Sequence, residues 1–408
     1  LVAVGKDVLM VMLIASLAGN HFLRRRSWYV NAPVYWLALF ALTATLAAFT
    51  APDVMRGALQ LRFLLLYPAL IVVAANALES AADVQRLVRL LAFVGLVTVA
   101  YGILQYFTLF DVPYRTSGGD VSLRMGRFDD MAVVSTFASR PAFGGWLVAI
   151  FLLLLNFSNL GNRLSGRLCR SAAIVGTLLC VVLTYSRTTW LALLIGALVT
   201  LWLKDKMKAT LCVLALGACV VLFYVTQTFM ASASLSEAAT SSESMEVRLS
   251  YWPMVFRHVV ANPFGLGLGT VGGPHLFEAG AQADAYGNLQ YDQFANFDPQ
   301  AELGPNNSLM VTDNTFLKLL VQGGFPLLLA FLGLLVTTIH LLANMLRQTP
   351  AGWQRELLIW IAGCLAALLT IFMFVDFLES GPPIALYWLA IGMLCCLRKF
   401  AIAGCSAD

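Results

Sequence analysis

Residues 325–346 read FPLLLAFLGLLVTTIHLLANML and contain no Asp, Glu, Lys or Arg. An α-helix rises about 1.5 Å per residue, so a helix of this length spans about 30 Å, the thickness of the hydrocarbon core of a bilayer. A charge-free apolar run of that length is typical of a transmembrane helix. This stretch therefore predicts that the chain is embedded in a membrane.

The rest of the chain repeats this pattern. Of all residues, 60% are hydrophobic and 12% are charged, whereas a soluble domain has about 25% charged residues. We expect an all-α, polytopic membrane protein with about 11 spans in this chain and no separate soluble domain. Because the chain begins without a methionine, we also expect a twelfth span in the full-length protein. The predicted spans lie near 8–22, 33–51, 62–77, 90–110, 141–157, 171–186, 188–203, 209–230, 325–346, 357–377 and 383–397.

Basic residues are unevenly distributed between the connecting segments. By the positive-inside rule the richer segments face the cytoplasm, so the long segment 231–312 faces the periplasm or exterior. The net charge of +4 thus reflects topology and does not indicate a nucleic-acid partner. The cytoplasmic set holds 15 of the 26 basic residues, namely Arg24, Arg25, Arg26, Arg86, Arg89, Arg163, Arg167, Arg170, Lys204, Lys206, Lys208, Arg347, Arg355, Arg398 and Lys399.

This topology divides the chain into three predicted parts. Residues 1–230 form an N-terminal bundle of about eight spans, 231–324 form a periplasmic catalytic loop with short helices, and 325–408 add about three spans. All eight cysteines fall in spans or in cytoplasmic segments. The outer loop therefore lacks a disulfide framework and a cysteine-based metal site.

The first polar cluster, TYSRTTW at 184–190, separates two apolar runs. Its Arg187 lies at the outer membrane boundary, where a guanidinium must snorkel, pair with an anion or face a water-filled cavity. The residues alone leave two readings open. Arg187 is either an interfacial arginine in a tight helical hairpin or the ligand of an anion.

The second cluster contains Arg248, Tyr251 and Trp252, which share one face of a predicted helix because they are three and four residues apart. Asn262-Pro263 and the alternating glycines of 265–269 follow. A dinucleotide-binding fingerprint needs a strand before the glycines and a helix after them. Neither is predicted here, so we expect a backbone turn at 265–269.

The third cluster begins with Asp313-Asn314 and ends at Gly323-Gly324. It predicts a short amphipathic helix, capped by Thr312 or Asp313, that ends before the next span. Two roles for Asp313 remain open. It is either a helix cap, or a general base that deprotonates or orients an acceptor hydroxyl.

Together, the three clusters in this order resemble the O-antigen ligase and Wzy-type polysaccharide polymerase superfamily. Supporting features are the stretches 61–67 and 102–106, and the stretch 135–137 followed by Arg140-Pro141 and Gly144. The resemblance extends over most of the chain. It implies a GT-C-like helical bundle in the bacterial inner membrane, with a periplasmic active site that joins glycans carried on undecaprenyl diphosphate without metal or cofactor.

The resemblance also implies roles for particular residues. Arg187 and Arg248 occupy positions that bind the lipid diphosphate, and guanidinium forks suit that leaving group because they bind oxyanions through two donors. Asp313 is the candidate general base. The further candidates for substrate binding are Arg140, Tyr251, His258 and Asn314.

One departure bears on the acceptor. Ligases of this superfamily carry a histidine where this chain has Asp313. The Asp-Asn form and the region around Phe137 and Arg140 resemble polymerases, whose acceptor is a second lipid-linked glycan. We therefore favour a polymerase, with a chain-length regulator as a candidate partner, over a ligase that transfers glycan to lipid A core.

Two other classes of protein are compatible with many spans. A transporter would show inverted repeats and charges near the membrane centre, and the sequence shows no internal repeat. Asp376 is the main acidic residue within an apolar run, with a structural or a catalytic role open. A scaffold subunit of an envelope assembly would have no obvious need for paired outer arginines.

Overall fold

The computed structural model describes residues 2–23, 28–108, 133–137, 139–157, 164–207, 256, 259–270, 314–378 and 381–405. Every regular element within these ranges is a helix. Seven helices there are long and apolar enough to cross a membrane, and Arg140–Asn156 and Arg170–Leu183 are apolar but shorter. The prediction of an all-α, polytopic membrane protein is confirmed.

The described helices follow the predicted spans. The span predicted at 209–230 lies outside the described residues, as does most of the long segment 231–312. The helices are α1 (Val2–Leu23), α2 (Ala32–Phe49), α3 (Val54–Leu66), α4 (Leu70–Ala77), α5 (Ala81–Thr108), α6 (Arg140–Asn156), α7 (Leu164–Leu183), α8 (Arg187–Lys204), α9 (Thr315–Gln348), α10 (Trp353–Phe374) and α11 (Pro382–Cys405).

Helix α5 starts nine residues before the apolar run that predicted it. Ser80 and Asp83 cause this, because the Asp83 carboxylate accepts from the Ser80 backbone N–H (3.1 Å) and the Asp83 N–H donates to Ser80 Oγ (3.2 Å). Such a reciprocal capping pair begins a helix irrespective of hydropathy. The prediction that Arg86 and Arg89 lie in a connecting segment is therefore wrong, since both lie on the first turns of α5.

Helix α6 lies at the centre of the bundle, with nearly every side chain buried. It contacts α10, where Trp360 Nε1 donates to the Ala149 carbonyl at 3.0 Å. Helices α8 and α10 approach closely at Gly196 and Gly363, where a Cβ on Gly196 would lie 2.9 Å from the Gly363 carbonyl oxygen. Small residues allow such contacts between membrane helices, which gain stability from close packing.

Basic residues bind the carbonyl ends of helices at one end of the bundle, which we call the basic end. At the end of α6, Arg170 Nε donates to Leu154 O (2.8 Å) and Lys204 Nζ donates to Asn156 O (3.1 Å). Arg355 caps α9 through Leu346 O (2.7 Å), and Lys399 contacts Ala75 O of α4 (3.4 Å). Cations stabilise helix C-termini because unpaired carbonyls concentrate negative charge there.

All four of these basic residues belong to the predicted cytoplasmic set. Residues of that set therefore lie together, and the side of the membrane they face stays a prediction.

The opposite end is organised by a break in α9 at Gly324, whose φ and ψ are 66° and −164°. In an unbroken helix, Phe325 N–H would bond to the Val321 carbonyl, and the Gln322 carbonyl would face residue 326, a proline without an N–H. Instead, Phe325 N donates to the Pro263 carbonyl at 2.9 Å. The predicted short helix that ends at the glycine pair is confirmed.

Residues 262–270 dock into this break. Leu266 N donates to Val321 O (2.8 Å) and Gly267 N donates to Gln322 O (2.9 Å), so both carbonyls released by the break regain partners. The alternating glycines have φ of 85°, 96° and 82°, values that favour residues without a Cβ. The predicted backbone turn at 265–269 is thus confirmed.

A buried pair of amide side chains fixes α3 against the break. Gln60 and Gln322 are 3% and 1% exposed and exchange two hydrogen bonds, each of 2.9 Å. Gln60 Oε1 also accepts from Gly269 N at 2.6 Å. Buried amides are costly unless bonded, so this pair requires α3, the docked turn and α9 to be in register.

Replacing Gly267 by Ala tests the docked turn. The added Cβ would lie 2.5 Å from the Thr50 carbonyl oxygen, and φ of 96° disfavours any L side chain. We expect a loss of about 1–3 kcal/mol from the backbone conformation alone, measured as a lower melting temperature in detergent. The matched control is Gly19→Ala, because no atom lies within 4 Å of that Cβ. A Gly267→Ala variant as stable as the control would contradict the docking geometry.

Candidate functional site

Helices α6 and α8 begin at the end of the bundle opposite the basic end, and each begins with an arginine. Ser139 Oγ accepts from Ala142 N (3.3 Å) at the start of α6, and Ser186 Oγ accepts from Thr189 N (3.4 Å) at the start of α8. Serine is a favoured N-cap for this reason. Arg140 and Arg187 are therefore first helical residues, the former half-buried and the latter exposed.

The starts of these two helices touch. A Cβ on Gly144 would overlap the Thr189 hydroxyl, so the second turn of α6 packs on the first turn of α8. Arg140 and Arg187 accordingly lie at adjoining helix N-termini. Unpaired N–H groups concentrate partial positive charge at a helix N-terminus, and the arginines add full charges of the same sign. The combination favours an anion.

Residues 133–137 pack beside these helix starts. Val133 N donates to the Leu183 carbonyl (3.0 Å), just before the turn that leads into α8. Gln105 Oε1 accepts from Val134 N (3.2 Å) and from Ser135 N (2.8 Å), which holds Ser135 at φ of 52°. This contact joins the stretches 102–106 and 135–137, both of which support the resemblance.

Asn314 fixes the start of α9. Its Oδ1 accepts from Phe316 N (2.9 Å) and Leu317 N (3.1 Å), and its Nδ2 donates to the Met373 carbonyl at 3.0 Å. The expectation that Thr312 or Asp313 caps this helix is wrong, because Asn314 supplies the capping oxygen. An Asn is as good a cap as Asp, so the sequence pattern alone did not discriminate between neighbouring positions.

A buried ion pair joins α9 to the segment that follows α10. Lys318 Nζ lies 2.5 Å from Asp376 Oδ2, with side chains 4% and 8% exposed. The pair identifies a structural contact for Asp376, whose role the sequence left open. The ion pair was not predicted from the sequence, because 58 positions separate the two residues. The sequence feature that could have predicted the pair is the presence of one lysine and one aspartate within apolar runs. Isolated charges in such runs require partners.

Phe377 connects this ion pair to α6. Its N–H donates to Thr315 Oγ1 (3.2 Å), and Thr315 Oγ1 donates to the Val375 carbonyl (2.9 Å). The Phe377 ring fills the space left by Gly145, where a Cβ would overlap it. The starts of α6, α8 and α9 and residues 375–377 therefore form one contiguous region, which we call the helix-start region.

The structure places three of the predicted site residues, Arg140, Arg187 and Asn314, in the helix-start region. The other four, Arg248, Tyr251, His258 and Asp313, lie outside the described residues, so their roles stay predictions. Within the described ranges, no three His, Cys, Asp or Glu side chains lie close enough together to hold a metal ion.

The segment from α7 through the first half of α9 provides a further comparison. Residues 172–332 match a family model described as O-antigen ligase. This segment is therefore similar to the O-antigen ligase family. The match covers less than half of the chain, and no curated protein matches it.

The match confirms the resemblance to the ligase and polymerase superfamily, and it indicates an activity of that type. The matched segment is residues 172–332. It contains Arg187, Arg248 and Asp313, which are the residues assigned catalytic roles from the sequence. Arg140 and Asp376 lie outside the matched segment but complete its surroundings in the fold. The helix-start region is therefore built partly by the matched segment and partly by the helices around it.

Replacing Asp376 by Ala tests the ion pair. The change leaves the buried Lys318 ammonium without its carboxylate, which costs about 3–5 kcal/mol in comparable buried pairs. We expect a marked fall in melting temperature. The matched control is Arg86→Ala in the ion pair Arg86–Asp83, whose arginine is 74% exposed, where the change should be within about 0.5 kcal/mol. Equal melting temperatures for the two variants would show that the buried pair contributes no stability.

Proposed function

We propose that this protein is a glycosyltransferase of the bacterial inner membrane that joins glycans carried on undecaprenyl diphosphate at the periplasmic face. The observation that carries the proposal is that Arg140 and Arg187 begin two helices whose first turns pack together. Arg187 lies in the segment that matches the O-antigen ligase family model. Two arginines that begin adjoining helices favour a ligand with several negative charges, as a diphosphate has.

The proposed chemistry is a displacement at the donor sugar. A hydroxyl of the acceptor glycan forms a bond to the anomeric carbon while the bond from that carbon to the diphosphate oxygen breaks. Undecaprenyl diphosphate departs with the bonding electrons, and the acceptor proton passes to a base. Negative charge grows on the leaving group, so fixed donors at that position lower the barrier. In this proposal arginines supply that charge without a metal.

Arg248 is proposed as the second principal ligand of the diphosphate. It lies in the proposed periplasmic part, residues 231–324. Residues 262–270, which follow it, are held at the break of α9 by Leu266 N and Gly267 N. This anchor keeps the end of the loop at the same end of the bundle as Arg187. Tyr251 and His258, between Arg248 and the anchor, are proposed to contact the glycan.

Asp313 is proposed as the general base. The capping role that competed with this assignment belongs to Asn314, whose Oδ1 accepts two N–H bonds. The carboxylate is adjacent in sequence to a residue that both caps α9 and bonds to Met373. Asn314, proposed to bind substrate, uses one of its two amide hydrogens in the bond to Met373.

The acceptor distinguishes two candidate functions. An aspartate in the place of the ligase histidine favours a polymerase, whose acceptor is a second lipid-linked glycan and whose product length a regulator would control. The description of the matched family model, O-antigen ligase, favours the second candidate, transfer to lipid A core. Both candidates use the same donor and the same arginines.

Reconstitution separates the candidates. The purified protein in lipid would be given an undecaprenyl-diphosphate oligosaccharide, with and without lipid A core, and the products resolved by electrophoresis. A polymerase yields a ladder of longer lipid-linked products without lipid A core. Products found only with lipid A core would select the ligase. If neither acceptor is used, the glycosyltransferase proposal fails and the transporter alternative is favoured.

Arg187→Lys and Arg248→Lys test the guanidinium forks. Lysine keeps the charge but lacks the planar pair of donors that matches a phosphate. We expect each variant to be expressed normally and to lose most of its transfer activity, at least about tenfold, measured as product formed per minute. Arg347→Lys, at the exposed C-terminal end of α9, is the matched control and should retain activity. Near-normal turnover in both test variants would show that these arginines are interfacial.

Asp313→Asn and Asn314→Ala separate catalysis from capping. The Asp313→Asn variant loses its proton-accepting group but keeps a similar shape, so activity should fall sharply at an unchanged melting temperature. The Asn314→Ala variant loses the cap and should be less stable by about 1 kcal/mol. Transfer activity and melting temperature would be measured for both variants. A fully active Asp313→Asn variant would remove Asp313 from the proposed site.

A further inference from the structure

A groove opens at the basic end of the bundle, far from the helix-start region. It lies between the start of α2, the second half of α9 and the end of α11, and its volume is about 470 Å³. Its lining includes Val336, His340, Asn344 and Gln348 of α9 and Arg398 of α11. Gln348 is 24 residues beyond Gly324, or about 36 Å along a helix. The groove is therefore separate from the proposed diphosphate site.

Four of the six α9 residues that line the groove, Val336, His340, Asn344 and Gln348, are spaced four apart and form a single stripe along the helix. The stripe is apolar at Val336, which is 63% exposed, and becomes polar at His340, Asn344 and Gln348. A stripe that faces only hydrocarbon should be apolar throughout, because polar side chains there need partners. His340 Nε2 and Asn344 Nδ2 lie 2.9 Å apart. This contact uses only part of the hydrogen-bonding capacity of the two side chains, because each has further donor or acceptor atoms.

Arg398 supplies the positive charge of the groove. Its Nη1 donates to Gln348 Oε1 at 3.4 Å, and this contact is exposed. The adjacent Lys399 is directed elsewhere, with its Nζ at 3.4 Å from the Ala75 carbonyl. The groove thus combines a cation and an amide at its outer end, hydrogen-bonding groups at intermediate depth and an apolar surface toward the membrane interior.

We propose that this groove binds one anionic phospholipid. The order of its lining chemistry matches the order of groups along such a lipid. The phosphate would contact Arg398 and Gln348, the glycerol and ester groups would bond to Asn344 and His340, and an acyl chain would lie along Val336. A basic side chain near a bilayer surface attracts acidic headgroups, and phosphate suits a guanidinium fork.

The test measures lipid retention by native mass spectrometry of the full chain in detergent. Phosphatidylglycerol and phosphatidylcholine with identical acyl chains would be titrated separately. We expect one phosphatidylglycerol to bind in preference to phosphatidylcholine, and Arg398→Gln to weaken its binding about fivefold. Arg347→Gln is the matched control, because Arg347 is exposed in the last turn of α9 and does not line the groove. Its phosphatidylglycerol binding should equal that of the unmodified protein.

Two further measurements test lipid binding in the groove. Val336→Trp should fill the apolar part and weaken lipid binding while Arg398 is retained, which tests the groove if Arg398→Gln fails to fold. Inorganic phosphate at the concentration of the lipid should not displace it. Equal retention of the two lipids, equal losses in Arg398→Gln and Arg347→Gln, or displacement by phosphate would each overturn the proposal. None of these readings depends on glycan transfer, so they are independent of the proposed function.

Discussion

Hydrogen bonding of the backbone within apolar surroundings governs the architecture around the break in α9. Helices satisfy their own backbone groups, and any irregular stretch in a membrane protein must find partners elsewhere. The break at Gly324 releases two carbonyls and one N–H, and residues 262–270 supply a complementary set at Leu266, Gly267 and Pro263. The break and the docked turn are thus two halves of one hydrogen-bonded unit. Each half would leave polar groups unpaired without the other.

The two ends of the bundle use helix polarity in opposite ways. At the basic end, Lys and Arg side chains bind terminal carbonyls, so cations are consumed in neutralising helix C-termini. In the helix-start region, Arg140 and Arg187 adjoin N-termini of the same sign, so positive charge accumulates. The first arrangement stabilises the protein itself. The second arrangement suits an anionic ligand, and we therefore propose the diphosphate site at that end.

Hydropathy was sufficient to predict the helical class and nearly all described spans, because a bilayer imposes a minimum length of apolar helix. Boundaries set by local capping were less accessible. The Ser80 and Asp83 pair extended α5 beyond its apolar run, and the cap of α9 is Asn314 where Thr312 or Asp313 was expected. Contacts between distant positions, such as Gln60 with Gln322 and Lys318 with Asp376, leave no periodic trace in one sequence. They depend on helix pairing that hydropathy does not specify.

The ion pair between Lys318 and Asp376 has a consequence for the order in which the protein is assembled. Lys318 lies before the apolar part of α9 and Asp376 lies after α10, so the lysine is synthesised before its partner. A lone lysine at the centre of a helix costs about 2.5–3.5 kcal/mol to insert into a membrane. We therefore expect residues 315–323 to take their final place only after α10 has crossed the bilayer and brought Asp376 to Lys318. The break at Gly324 is compatible with this order, because residues 325–346 form a span of their own.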